Sequence, residues 1–139
     1  MPVPPDLEVQ ALAGGVHPWQ ENYTIRITAD GQGLYTRFIP GDIGAPPLER
    51  SDFTLTKEEV AAVWEAVEQN GFYLLAEDHR DTTVRGGSFA SLTVTANGVT
   101  HRVRVQNVSL MRFESVIAAL NEVTPPGNDV IYRSPDASP

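Results

Sequence analysis

The pair Asn97-Gly98 constrains this chain more than any other two neighbouring residues. Both central positions of a two-residue hairpin turn need positive φ, which Asn tolerates and Gly adopts freely, so Asn-Gly between alternating flanks is a strong hairpin signal. The flanks, Phe89 to Ala96 and Val99 to Gln106, do alternate. A two-residue turn sets Val94 opposite His101, Leu92 opposite Val103 and Ala90 opposite Val105. One face of the ribbon is then Ala90, Leu92, Val94, Val99, Val103 and Val105. The other carries Thr93 opposite Arg102 and Ser91 opposite Arg104, a solvated face. A two-stranded ribbon with one oily face does not stand alone in water, so an apolar layer must cover it.

Residues 55–72 supply such a cover. Thr56 and Glu59 have the spacing of a capping box, and Leu55 and Val60 flank it as a hydrophobic staple. Val60, Val63, Trp64 and Val67 recur at i, i+3, i+4 and i+7, one stripe of a helix. Asn70-Gly71 supplies the stop, and Phe72 falls where it can fold back on Val67. A second stripe, Leu110, Phe113, Val116, Ile117, Leu120 and Val123, predicts another helix with Ser109 as its cap and Thr124-Pro-Pro-Gly127 as its end.

Upstream, Leu7, Val9 and Ala11 alternate weakly. Tyr23, Ile25, Ile27 and Ala29 alternate well, Asp30 to Gly33 reads as a hairpin loop, and Leu34 to Ile39 returns as a partner strand closed by Pro40. Residues 40–52 read as surface loop from their Gly and Pro, and residues 76–88 as a long polar loop. The predicted architecture is α+β: a two-layer sandwich of about five antiparallel strands and two helices, in the order β-β-β-α-β-β-α. Residues 7–124 form the single domain, with 1–6 and 127–139 flexible or loosely docked. The patch Val130-Ile131-Tyr132 is a candidate edge strand or docking segment, and Ser134 to Pro139 read as disordered.

The totals narrow the function classes. At 139 residues the chain suits one domain that needs no covalent staple. Net charge is −8, so general binding to nucleic acid or to an anionic membrane surface is disfavoured. Lys57 is the sole lysine beside nine arginines. There is no cysteine, which removes disulfides, thiolate metal sites and thiol nucleophiles. No stretch is long and apolar enough to span a bilayer. Met1-Pro-Val-Pro-Pro5 is a stiff, extended lead-in. It fits either a cut just after a removed signal or lipid anchor, outside the cytoplasm, or an ordinary frayed end in any compartment.

The charged run Glu77-Asp78-His79-Arg80-Asp81 is the leading candidate for chemistry. Asp78, His79 and Asp81 could hold a hard or borderline cation, or His79 could exchange a proton near neutral pH. The structural reading of the same run is a solvated loop with local Asp–Arg pairs. His101 projects onto the apolar ribbon face and reads as a packed, hydrogen-bonded residue. Trp19 and Trp64 read as anchors of the core, unless Trp19 is exposed and marks a binding surface. Arg85-Gly-Gly87 echoes one unit of an RGG segment but better serves to bend the backbone. Asn22-Tyr-Thr24 and Asn107-Val-Ser109 match the glycosylation sequon. No nucleophile elbow, phosphate loop or dinucleotide fingerprint is present, and no cofactor is implied.

Three segments together resemble a group of small bacterial α+β domains without an assigned activity: Tyr23-Thr-Ile-Arg-Ile-Thr-Ala-Asp-Gly31, Leu55-Thr-Lys-Glu-Glu59 and Asn70-Gly-Phe-Tyr-Leu-Leu75. The resemblance spans most of residues 7–122 and implies an extracytoplasmic or lipoprotein-like module. The element order is also similar to metalloprotease inhibitors of the emfourin kind. Where those carry an N-terminal Gly-Gly-Phe-like segment, this chain has Ala13-Gly-Gly-Val16, so no inhibitory residue carries over.

The first expectation is therefore a non-catalytic module that binds a protein partner, inhibition being one form of it. Its contacts would come from Trp19, Tyr35, Arg102, Arg104 and the 77–81 loop. The alternative is a small metal- or ligand-binding protein, or an enzyme, centred on Asp78, His79 and Asp81. A third reading is an oligomerisation unit in which residues 130–132 pair with a neighbour's edge.

Overall fold

The computed structural model describes residues 2–81, 83, 86–130 and 132. Arg85, Ile131 and the tail from Ser134 to Pro139, on which several expectations rest, lie outside the described residues. Among the described residues the chain is α+β, in the order β1 (Glu8–Gly15), β2 (Asn22–Thr28), β3 (Gln32–Phe38), β4 (Glu49–Thr54), α1 (Lys57–Gln69), β5 (Asp78–Arg80), β6 (Ser88–Ala96), β7 (Val99–Gln106) and α2 (Met111–Val123). A single 3-10 turn, Phe72–Leu74, follows α1. The strands form one open sheet with spatial order β4-β3-β2-β1-β6-β7-β5, antiparallel except for the β5–β7 pair.

The hairpin at Asn97-Gly98 has the register its turn demands. Val94 faces His101, Leu92 faces Val103, Ala90 faces Val105, Thr93 faces Arg102 and Ser91 faces Arg104. Asn97 and Gly98 have φ of 53° and 77°, the left-handed values a two-residue turn requires. Val99 departs from expectation: it lies beside the turn and is exposed.

Register carries the oily face across the sheet. Val103, Leu92, Ala11, Ile25 and Tyr35 sit in one transverse row, and all are buried. Both helices close on that face. Val60, Val63, Trp64 and Val67 of α1 and Phe113, Val116, Ile117 and Leu120 of α2 join the same core cluster. A buried Leu or Ile contributes about 1.5–3 kcal/mol relative to exposure, so this shared layer dominates the stability.

The caps of α1 are as the sequence predicts. Glu59 N–H donates to Thr56 Oγ1 at 3.1 Å and Thr56 N–H donates to Glu59 Oε1 at 2.9 Å. Gly71 (φ 59°) ends the segment in the left-handed conformation. The cap of α2 differs. Its N-cap is Leu110, whose N–H donates to Glu114 Oε2 at 2.8 Å, while Ser109 Oγ donates to the same carboxylate. An acidic side chain in the first turn thus does the work expected of Ser109.

Two further corrections concern strands. Residues 40–52 are not loop throughout, because β4 pairs with β3 from Glu49 to Thr54. The 76–88 stretch is not one loop, because Asp78–Arg80 pairs in parallel with Arg104–Gln106. About five strands become seven. Both additions are short sheet edges rich in charge, which keeps an unpaired edge from recruiting other chains and also hides it from a hydrophobic-pattern reading.

Beyond α2, Val130 is tied back to that helix and Tyr132 to the segment that precedes it. Asn121 accepts from Val130 N–H and donates to Val130 C=O, each at 2.9 Å, and Val130 is 1% exposed. Tyr132 Oη accepts from Val108 N–H at 3.1 Å and donates to Val108 C=O.

Candidate functional site

Alternation in a strand sends every second side chain away from the helices. On β1, β2 and β3 these are Gln10, Leu12, Thr24, Arg26, Leu34 and Thr36. On β6 and β7 they are Ser91, Thr93, Arg102 and Arg104. No element among the described residues covers this face. Its centre is a shallow trough of about 430 Å³ lined by Gln10, Leu12, Arg26, Leu34, Ser91, Thr93 and Arg102.

The strands place more arginine than carboxylate on this face. Arg26, Arg50, Arg80, Arg102 and Arg104 project from it, against Glu8, Asp52 and Asp78. The strands contribute five cations and three anions to it, with Asp6 and Asp30 at its rim beside Glu8 and Asp52, in a chain of net charge −8. The three carboxylates are taken up locally. Glu8 pairs with Arg26 at 3.0 Å, Asp78 with Arg80 at 2.8 Å and Asp52 with Arg50 at 3.9 Å. Arg102 and Arg104, neighbours on β7, have no carboxylate partner among the described residues.

Arg104 is held in place by its surroundings. Its guanidinium lies over the Phe89 ring, 5.2 Å from the centroid, and its Nη2 donates weakly to Gln106 Oε1 at 3.4 Å. Its Nε is buried without an acceptor among the described residues. A buried unpaired donor costs about 1–3 kcal/mol, and an exception of this kind calls for an explanation.

The other residues singled out from the sequence do not gather here. Trp19 lies at one end of the sheet, in the loop between β1 and β2, and is 62% exposed. Its N–H donates to His17 Nδ1 at 3.2 Å, and Gly41, whose N–H donates to Pro18 C=O at 2.7 Å, leaves room for its ring. Tyr35 is not a contact residue: it is 1% exposed beneath the helices, and burial pushes its phenol above the usual range.

The run 77–81 does not converge on one point. Asp78 points to the uncovered face and pairs with Arg80. His79 alternates to the opposite side and its Nε2 is 2.8 Å from Ala76 C=O. Asp81 turns back on its own segment, accepting from the Thr83 hydroxyl and backbone N–H, which hold its carboxyl below the ordinary range. Among the described residues no three His, Asp or Glu side chains approach closely enough to share a cation.

No protein-family model matches this chain, and no curated protein matches it either. The site must therefore be argued from its own geometry.

Three remaining sequence signals have structural explanations. His101 Nε2 lies 2.8 Å from Leu75 C=O, with its ring against Phe72 and Tyr73. Asn22 and Asn107, the sequon asparagines, are each 5% exposed and present no folded acceptor. Asn107 instead accepts from Ser88 N–H and donates to Gly86 C=O. A Cβ on Gly87 would lie 1.9 Å from Asn107 Oδ1, so glycine is required at that bend. Among the described residues no helix is long and apolar enough to cross a membrane.

Sequence reasoning missed Arg26, Arg50 and Arg80 as members of the site. The signal was available for Arg26, since Tyr23, Ile25 and Ile27 face inward and place it outward. For Arg50 and Arg80 it was not, because their strands show no alternation of apolar residues.

Proposed function

We propose that the chain is a non-catalytic protein-binding module whose uncovered sheet face receives an acidic segment of its partner. The observation that carries this reading is the pair Arg102 and Arg104, without carboxylate partners, on an arginine-rich face of an acidic molecule. Arginine suits such a role because its planar fork meets a carboxylate through two parallel hydrogen bonds. Ser91 and Thr93, cross-strand from the two arginines, add hydroxyls that can donate to the same ligand. Leu12 and Leu34 provide the apolar ground on which a segment can lie. Complementary charge speeds encounter and sets orientation more than it adds affinity, so a transient complex is expected. Blocking a protease by occupying it is one form such binding can take.

A short peptide of alternating glutamate and serine, titrated into isotope-labelled protein, tests this. Amide shifts should concentrate on Ser91, Thr93, Arg102 and Arg104, weaken as salt is raised, and disappear in the double variant Arg102→Glu/Arg104→Glu. Shifts confined to the Trp19 end, shifts indifferent to the double variant, or no shifts at millimolar peptide would overturn the proposal.

A further inference from the structure

The chain contains two Asn-Gly steps, Asn70-Gly71 and Asn97-Gly98. Such a step is chemically vulnerable because glycine lacks the Cβ that would shield its nitrogen. The Gly N, on losing its proton to solvent base, attacks the preceding Asn Cγ. A C–N bond forms, the side-chain nitrogen leaves as ammonia, and a five-membered succinimide results. Water then opens the ring at either carbonyl to give aspartate or isoaspartate. The reaction needs the Gly N–H to be free to ionise and the peptide plane before it to be free to turn.

Both steps are restrained, by different means. At Asn70 the restraint is the helix end itself: Gly71 N–H donates to Glu68 C=O at 3.1 Å and Asn70 Nδ2 donates to Ala66 C=O at 2.8 Å. At Asn97 the side chain is exposed, in a groove shared with Trp64, Val67 and Glu68 of α1, and the residue is not itself part of a helix. There the restraint comes from the far end of the chain. Asp6 Oδ2 accepts from Gly98 N–H at 2.8 Å and Asp6 Oδ1 accepts from Asn97 N–H at 2.7 Å.

We infer that Asn97 is a latent deamidation site and that the Asp6 carboxylate guards it by clasping the two amides of the turn. The clasp acts twice on the reaction. A negative charge on the proton of Gly98 N–H opposes formation of the amide anion that must attack. Fixing two successive N–H groups on one carboxylate also holds the peptide planes at the left-handed values of the turn, away from ring closure. Isoaspartate would insert a methylene into the main chain at the tightest point of the β6–β7 hairpin and end its two-residue geometry. The guard therefore protects the ribbon that carries Arg102 and Arg104, although the inference does not depend on what those residues bind.

The experiment compares wild type, Asp6→Asn and Asp6→Ala during prolonged incubation at mildly alkaline pH, with peptide mass spectrometry at both Asn-Gly steps. Asn70 is an internal clock for opening of the whole molecule. Asp6→Ala should raise the rate at Asn97 at least several-fold while leaving Asn70 unchanged, and Asp6→Asn, which keeps one acceptor oxygen, should fall between. An unchanged or slower rate at Asn97 overturns the inference. So does a parallel rise at Asn70, which would trace the effect to general unfolding.

Discussion

Single residues decide several local outcomes here, and Asp6 is the clearest. The amides of Gly98 and Asn97 hold its carboxyl below the ordinary value of 3.8. A carboxyl whose folded pKa is depressed adds stability that is complete above its unfolded pKa and is lost as pH falls through the folded one. At pH 7 wild type should melt above Asp6→Asn. That gap should begin to shrink as pH falls below about 3.8 and close once pH lies below the folded value, where both side chains are uncharged. A gap that persists unchanged at pH 2.5, followed by calorimetry, would show that charge on Asp6 plays no part. Residues of this kind are illegible from sequence: nothing within reach of Asp6 along the chain hints that its donors lie at the turn of a ribbon 91 and 92 residues away. His101 was legible for the opposite reason, since the turn register alone places it on the inner face.

At the scale of elements, what the sequence shows is what alternation and capping can encode. α1 declares both ends, and β2, β3, β6 and β7 declare an inner face. β4 and β5 declare neither, because edge strands with outward charge bury too little to leave a pattern. The run from Glu77 to Asp81 illustrates the cost of this. Read as a loop it gathers acids and an imidazole, whereas pairing of Asp78–Arg80 with β7 sends His79 to the other side from Asp78. Another element-level dependence is the bracket that Asn121 makes around Val130. Asn121→Ala leaves both backbone groups of Val130 without their partners, which costs about 1–3 kcal/mol per buried group if the segment stays in place. The expected outcome is release of Val130 from α2, seen as faster amide exchange and earlier proteolysis there, with β6 and β7 unchanged. Equal protection of Val130 in the variant would show that its burial alone holds the segment.

For the molecule as a whole, the separation of charge follows from the layering. The helices carry Glu58, Glu59, Glu65, Glu68, Glu114 and Glu122 against Lys57 and Arg112, while Arg26, Arg50, Arg80, Arg102 and Arg104 face away from them on the other side. Composition alone, read as a uniform acidity, concealed this, because net charge records no direction. The same arrangement has a consequence for how the chain comes into being. β1 is the middle strand of the sheet, and its second neighbour is β6, so Ala11 waits for Leu92. On the ribosome, the first four strands and α1 can assemble as consecutive neighbours while one side of β1 stays bare until the second hairpin emerges. Joining across that seam is a long-range closure and should limit the rate of folding. It also divides the molecule into complementary pieces, 1–75 and 76–139, each holding one helix. Produced together as separate polypeptides, they should reconstitute the amide spectrum of the intact chain. If the pieces stay apart when mixed, the seam lacks the strength to join them without the covalent link between Leu75 and Ala76.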